Sequence, residues 1–251
     1  MRPFRLPAGK ITREAYKAMV LRLDPDDDEA EQKIRMALER RSKKEIAAAL
    51  RKQLNGAIPP GATNEQVIAA AQNIVRHSGP VRDALRRMLQ SSAALGVNVA
   101  VDQFDNIGLG FDWTLANQNA AEWANSYSST ILNEINATTQ RRVGTSVSQW
   151  IQNGDSLGKL RQELTPMFGE QRADLIASTE VTRAYSEGNR IAYRDSGVVN
   201  DIEWRTARDE RVCPICGALH GQRGRLSEGV QNMFPPAHPR CRCWIVPVIE
   251  T

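Results

Sequence analysis

At 251 residues, with 41% hydrophobic and 25% charged residues, the chain is long enough for a real apolar core and has a globular rather than a disordered or fibrous make-up. No apolar run approaches the roughly 20 residues of a membrane-spanning helix, so an integral helical membrane protein is excluded. A net charge of +4 and a pI near 9.0 permit contact with nucleic acid without requiring it.

The first ten residues, MRPFRLPAGK, contain two prolines and a glycine and read as an extended arm or an unstructured terminus. Helical spacing begins at Ile11 with Tyr16, Met19, Val20 and Leu23. Asp24, Pro25 and Asp26 to Asp28 combine a capping side chain, proline at a first helical position and negative charge at the positive end of the helix dipole. The helix they open is predicted to pass through Ile34, Leu38, Ile46 and Leu50 and stop at Gly56. It carries a basic run, Arg35, Arg40, Arg41, Lys43, Lys44, Arg51 and Lys52, that is either a solvated face or a contact to phosphates or an acidic protein; Arg40, Arg41, Lys43 and Lys44 are its candidate binding residues. No aromatics interleave with these charges, which argues against a single-strand stacking platform.

A link over Ile58 to Ala62 leads to Thr63, whose TNEQ sequence predicts a capping box with Gln66 and a helix to His77. After Gly79 and Pro80 another helix should reach Phe104, with a weak point at Gly96. Gly108 to Gly110 mark the expected boundary between a helical N-terminal assembly arm, residues 1–110, and a second region, residues 111–251.

Trp113 opens a long predicted helix with Trp123, Tyr127, Ile131, Ile135, Val143, Val147, Trp150 and Ile151 as its apolar stripe, ended by Asn153 and Gly154. Ser156 should cap a short helix that stops near Pro166. In the following helix, up to residue 196, Ala177, Thr179, Ala184, Ser186 and Gly188 are small enough to admit a neighbouring backbone. Glu180 and Arg183, three residues apart on that helix, with Arg194 and Asp195 beyond, read as structural ion pairs rather than as a catalytic acid and its clamp. From residue 200 the periodicity changes: IEWRTAR, HGQRGRL and RCRCWIVPV read as three short strands, the last held to an edge, or ended early in its pairing, by Pro247. The expected class is mainly α, long helices followed by a small C-terminal antiparallel β element: a metal-clamped β-hairpin knuckle over residues 200–251.

All four cysteines lie in that tail. Cys213 and Cys216 form a CxxC pair, and His238, Cys241 and Cys243 follow after 21 intervening residues as HPxCxC. Thiolates and imidazole in two short clusters suit a tetrahedral Zn2+ site. Five donors compete for four places, which fall first to Cys213 and Cys216, then in order to Cys241, His238 and Cys243. Disulfides are not expected, because residues 1–23 lack the apolar core and cleavage site of a secretory signal. A redox CxxC normally opens a helix in a thioredoxin-like unit, whereas this one is expected between short extended runs.

The runs STEVTRAYSEGNRIAY, EWRTARDERVCPICGALHGQ and PPAHPRCRCWIVPV resemble the phage Mu protein F-like, or head-morphogenesis, family of minor head proteins. The resemblance extends from about Trp113 to the end and rests on Glu180, Thr182, Arg183, Ala184 and Gly188, on Trp204, on Asp209, Arg211, Cys213 and Cys216, and on Pro236, His238, Pro239, Cys241, Arg242 and Cys243. Glu180, Arg183, Trp204, Asp209 and Arg211 then rank as structural residues. The resemblance implies a non-catalytic virion component, assembled in the host cytoplasm and located inside the capsid at the portal vertex. Its partner would be the portal protein, with scaffold, major capsid protein or packaged DNA as further candidates and no membrane. The rival readings are an HNH-like metal-dependent nuclease with His220 as base, lacking the paired histidine such chemistry uses, and a zinc-ribbon nucleic-acid binder. No fused toxin domain is expected beyond Val246.

Overall fold

The computed structural model describes residues 29–106, 113–207 and 210–249. The N-terminal arm, the helix expected from Ile11, the helix start at Asp24 to Asp28, the glycine boundary at Gly108 to Gly110 and the signature residue Asp209 lie outside the described residues.

Among the described residues six helices come first: α1 (Glu29–Ala57), α2 (Asn64–Asn73), α3 (Gly79–Asn106), α4 (Trp113–Asn153), α5 (Leu157–Leu164) and α6 (Glu170–Ser196). Single 3-10 turns, Ile74–His77 and Thr165–Phe168, follow α2 and α5. The tail adds β1 (Asp201–Arg205), the short helix α7 (Pro214–Leu219), β2 (Arg223–Arg225) and β3 (Trp244–Val248). The chain is therefore mainly α with a three-stranded antiparallel sheet in the order β2-β1-β3, as expected. In that order β3 is an edge, and Pro247 sits opposite Ile202 without needing an N–H on the open side.

Two compact units divide the residues. Residues 41–86 and 126–177 form one. Thr63 closes the predicted capping box there: its Oγ1 accepts from the Gln66 N–H at 3.3 Å and its own N–H donates to Gln66 Oε1 at 2.8 Å. Ile46, Leu50, Val67, Ile74, Leu85, Val143, Leu164 and Phe168 form a core with at most 1% exposure. Carbonyls that follow helix ends find side-chain donors. Arg161 donates to Ile58 O at 2.7 Å and Pro59 O at 2.5 Å, and Gln53 to Ile74 O at 3.2 Å. Arg172 donates to Met167 O and Ile135 O, and burial holds its guanidinium down at about 10.

The other unit contains the described residues of 1–40, 87–125 and 178–251, and hence the tail. Its core includes Ile34, Leu38, Leu89, Phe104, Tyr185, Tyr193, Ile202, Trp204 and Ile245, with Phe104 and Tyr193 edge-on at 6.0 Å. Gly96 does not weaken α3, which runs unbroken, because the position serves a close helix crossing. A methyl at Gly96 would lie 2.1 Å from Tyr185 O, and one at Gly188 would lie 2.0 Å from Ala93 O. Each glycine thus seats a carbonyl of the opposite helix, the role the small residues of α6 suggested.

The stripe on α4 follows expectation only in part. Ile131, Ile135, Val143, Val147 and Trp150 are buried, but the N-terminal third buries Ala116, Ala120 and Ala124, while Trp123 and Tyr127 are half-buried and Ile151 is 54% exposed. Alanine allows close packing at positions where the larger rings of Trp123 and Tyr127, three or four residues away, sit beside the contact line.

Candidate metal centre

The first donor cluster is positioned by a helix start. Cys213 is the N-cap of α7, and its Sγ accepts from the Cys216 N–H at 3.4 Å while Pro214 occupies the first turn. The CxxC therefore opens a six-residue helix, correcting the expectation that it lies between extended runs. The cause is local: a proline pre-set for helix directly after a thiol that can cap. The surroundings are an antiparallel sheet and no thioredoxin-like parallel unit.

The second cluster is a tight turn. Cys241 N–H donates to His238 O at 3.1 Å across Arg240, whose φ of 62° is left-handed. Helix α6 holds both sides of it: Arg240 N–H donates to Thr179 Oγ1 at 3.0 Å and Thr182 Oγ1 donates to Cys241 O at 2.7 Å.

The five sequence-derived donors converge. His238 Nε2 lies 3.1 Å from both Cys213 Sγ and Cys216 Sγ, and Cys216 Sγ lies 3.7 Å from Cys241 Sγ. Two triads result, Cys213, Cys216 and His238, and Cys216, Cys241 and Cys243, each with its donor atoms within 4.8 Å of one another and sharing Cys216. All four cysteines are free thiols. The 3.7 Å sulfur separation is far beyond a bond of about 2.05 Å. It matches instead the edge of a tetrahedron whose metal–sulfur distance is about 2.3 Å.

His238 Nδ1 lies 2.8 Å from Pro239 O. A carbonyl only accepts, so Nδ1 carries the proton and the Nε2 lone pair points at the sulfurs, the tautomer a metal ligand requires. A cavity of about 20 Å3, large enough for one small occupant, is lined by all five donors and by Arg211, Arg240 and Arg242. These Cys/His groups can hold a metal ion.

Electrostatics divide the thiols. The Cys241 thiol is held down at about 5, first by the hydrogen bond from Cys243, whose own thiol is pushed far up by the same contact and by burial. Burial pushes Cys216 up to about 12. Cys213 is lowered by the backbone N–H of Cys216, and His238 is raised by its bond to Pro239 O. A cation entering the cluster meets one stable thiolate at Cys241 and displaces protons from the others.

The remaining candidates are dispersed. Arg40 and Lys44 are exposed, whereas Arg41 pairs with Glu45 at 3.0 Å and Lys43 with Asp174 at 3.1 Å. Glu180, buried on α6, pairs with Arg183 at 3.2 Å. Asp195 is met by Arg194 at 2.8 Å and by Asn119 of α4 at 2.7 Å. Trp204 is fully buried in β1, opposite Ile245, and Arg211 is exposed at the cavity. His220 Nδ1 accepts the Thr206 N–H at 3.1 Å, so that lone pair ties the end of β1 to the turn after α7.

Sequence reasoning passed over Arg35 by grouping it with the basic run. Arg35 is 5% exposed and donates to Arg242 O at 2.5 Å and Cys243 O at 3.4 Å. Its helical phase was the available signal: it lies on the buried line of Leu38, Ser42 and Ala49, so it had to face the core.

No curated protein and no solved structure matches this chain. The family model described as phage Mu protein F like protein matches residues 141–246, beginning within α4 and ending within β3, a narrower span than the resemblance from Trp113. The matched segment includes α6 and every donor of the cluster. Residues 141–246 of this chain are therefore similar to the phage Mu protein F like family, a family of phage head-related proteins.

Proposed function

We propose that the protein is a phage minor head protein that acts in head morphogenesis by binding, associates with the portal vertex inside the capsid, and carries a structural zinc ion in its tail. The observation that carries the reading is the coincidence of the family match with the whole donor cluster. Sulfur and imidazole donors favour zinc over hard cations. Five donors around one small cavity also favour a closed structural site, since a catalytic zinc keeps a position for water. His220 spends its Nδ1 lone pair on a backbone amide, and Glu180 spends its charge on Arg183, which supports action without catalysis and weakens the nuclease reading.

A stiff tip on a helical body suits a component incorporated by contact. The exposed cations Arg40 and Lys44 are the residues of the basic run best placed to meet acidic groups of portal, scaffold or major capsid protein, or packaged DNA. The test is size-exclusion chromatography of the purified protein with the portal protein of the same phage, with zinc measured by mass spectrometry and a nuclease assay on the same sample. A zinc-containing complex without DNA cleavage is expected. Absence of any portal complex, or metal-dependent cleavage abolished by His220→Ala, overturns the reading; DNA binding lost on Arg40→Glu with Lys44→Glu and no portal complex favours a nucleic-acid binder.

A further inference from the structure

We infer that Arg35 of α1 is an outer positioning residue of the metal centre: by binding the Arg242 and Cys243 carbonyls it holds the Cys241–Cys243 backbone in ligand geometry. The inference rests on the metal reading above. Its basis is the path of hydrogen bonds from helix to ligand backbone.

The guanidinium lies over two aromatic rings and donates to two carbonyls. Its carbon lies 5.2 Å from the centroid of Tyr185 and 5.1 Å from that of Trp244, while Nη2 donates to Arg242 O at 2.5 Å and Nη1 to Cys243 O at 3.4 Å. These two carbonyls belong to the residues that space Cys241 from β3. Thr182 donates to the preceding carbonyl, Cys241 O, at 2.7 Å, and Asn189 to Ile245 O at 3.4 Å. Carbonyls 241, 242, 243 and 245 are thus received by α1 and α6 rather than by a sheet partner. Without those donors the buried carbonyls of the segment carrying two cysteines would lack partners and its path would not be fixed.

Burial of a guanidinium is costly unless something compensates its charge. Burial lowers the Arg35 pKa first, against the opposing charges of Glu31 and Glu39 on the same helix. A zinc ion held by three thiolates and an imidazole has a net charge of about −1, so a buried cation beside it offsets both its own burial and that of the centre. Outer partners of this kind typically set metal affinity by about 10- to 100-fold.

The test titrates Zn2+ against a competing chelator and records the cobalt-substituted spectrum in the full-length chain, for wild type, Arg35→Met, Arg35→Lys and Thr182→Val. Expected are an affinity loss of about 10- to 100-fold for Arg35→Met, partial recovery for Arg35→Lys, and a smaller loss for Thr182→Val. The thiolate-to-cobalt band should weaken in Arg35→Met, where Cys241 or Cys243 moves out of place. Should Arg35→Met fail to fold, Arg35→Lys still decides, because it keeps the charge but loses the planar fork that reaches both carbonyls, and Thr182→Val reports on the neighbouring carbonyl of the same segment. Unchanged affinity and an unchanged cobalt spectrum in the folded variants overturn the role of Arg35. Failure of the wild type to bind either metal overturns the metal reading instead.

Discussion

The helix crossing at Gly96 and Gly188 and the cysteine tip bring together segments far apart in sequence by opposite means. At the crossing, side chains are absent: each glycine leaves room for one carbonyl of the opposite helix, and apolar burial does the rest. At the tip, the chain is held in addition by donors to carbonyls and by five Cys and His groups around one cavity. The difference teaches that one protein can carry two stabilities, one set by packing and one, on the proposed zinc, by an ion, and that each should fail under its own perturbation.

The largest expected effect is at the tip. Cys216 belongs to both donor triads, so Cys216→Ser should abolish metal binding, forfeiting much of an apparent binding energy of about 10 kcal/mol or more, and expose residues 201–249 to protease. Far-ultraviolet circular dichroism should remain strongly helical, and a variant that loses its helices as well would break the comparison. Gly188→Ala is the converse. A methyl 2.0 Å from Ala93 O forces the helices apart, and thermal or denaturant unfolding should show destabilisation of about 3 kcal/mol.

Smaller effects sharpen the contrast. Thr63→Ala removes one reciprocal cap in the all-helical unit and should cost about 1 kcal/mol in denaturant titration, with zinc affinity unchanged. Alkylation of the metal-free protein at neutral pH should begin at Cys213, which is accessible and has a lowered thiol pKa, while Cys241, also a favoured thiolate, is protected by burial at 1% exposure. Peptide mass mapping reads the order, and Cys216 modified first would contradict it. Least of all, Arg41→Ala or Lys43→Ala should change stability by less than about 0.5 kcal/mol, because their ion pairs are about one-third exposed.

Much of this was legible because the signals are local. Thr63 and Gln66 announce their cap, Ser156 its helix, and Pro247 its edge strand, each through chemistry acting within a few residues. The five donors were legible through their spacing, since both clusters form within a turn. What stayed hidden depends on phase and on distant partners. Gly96 looks like a weak point until Tyr185 O is seen against it, and Ala116, Ala120 and Ala124 outrank Trp123 only because a close contact excludes the larger ring. Arg35 resembles its basic neighbours in composition, and only the buried phase of α1 and carbonyls more than two hundred positions away separate it from them. The helix opened by Cys213 was missed because cysteine is not an ordinary cap, although Pro214 beside it was a usable signal.

The most direct test of the central claim is zinc content by mass spectrometry on the full-length protein, with limited proteolysis before and after chelation. The account predicts a single zinc per chain whose removal makes the tail from residue 201 onward cleavable while the helices persist. A protein that contains no zinc and whose tail resists protease equally with and without chelator would contradict it.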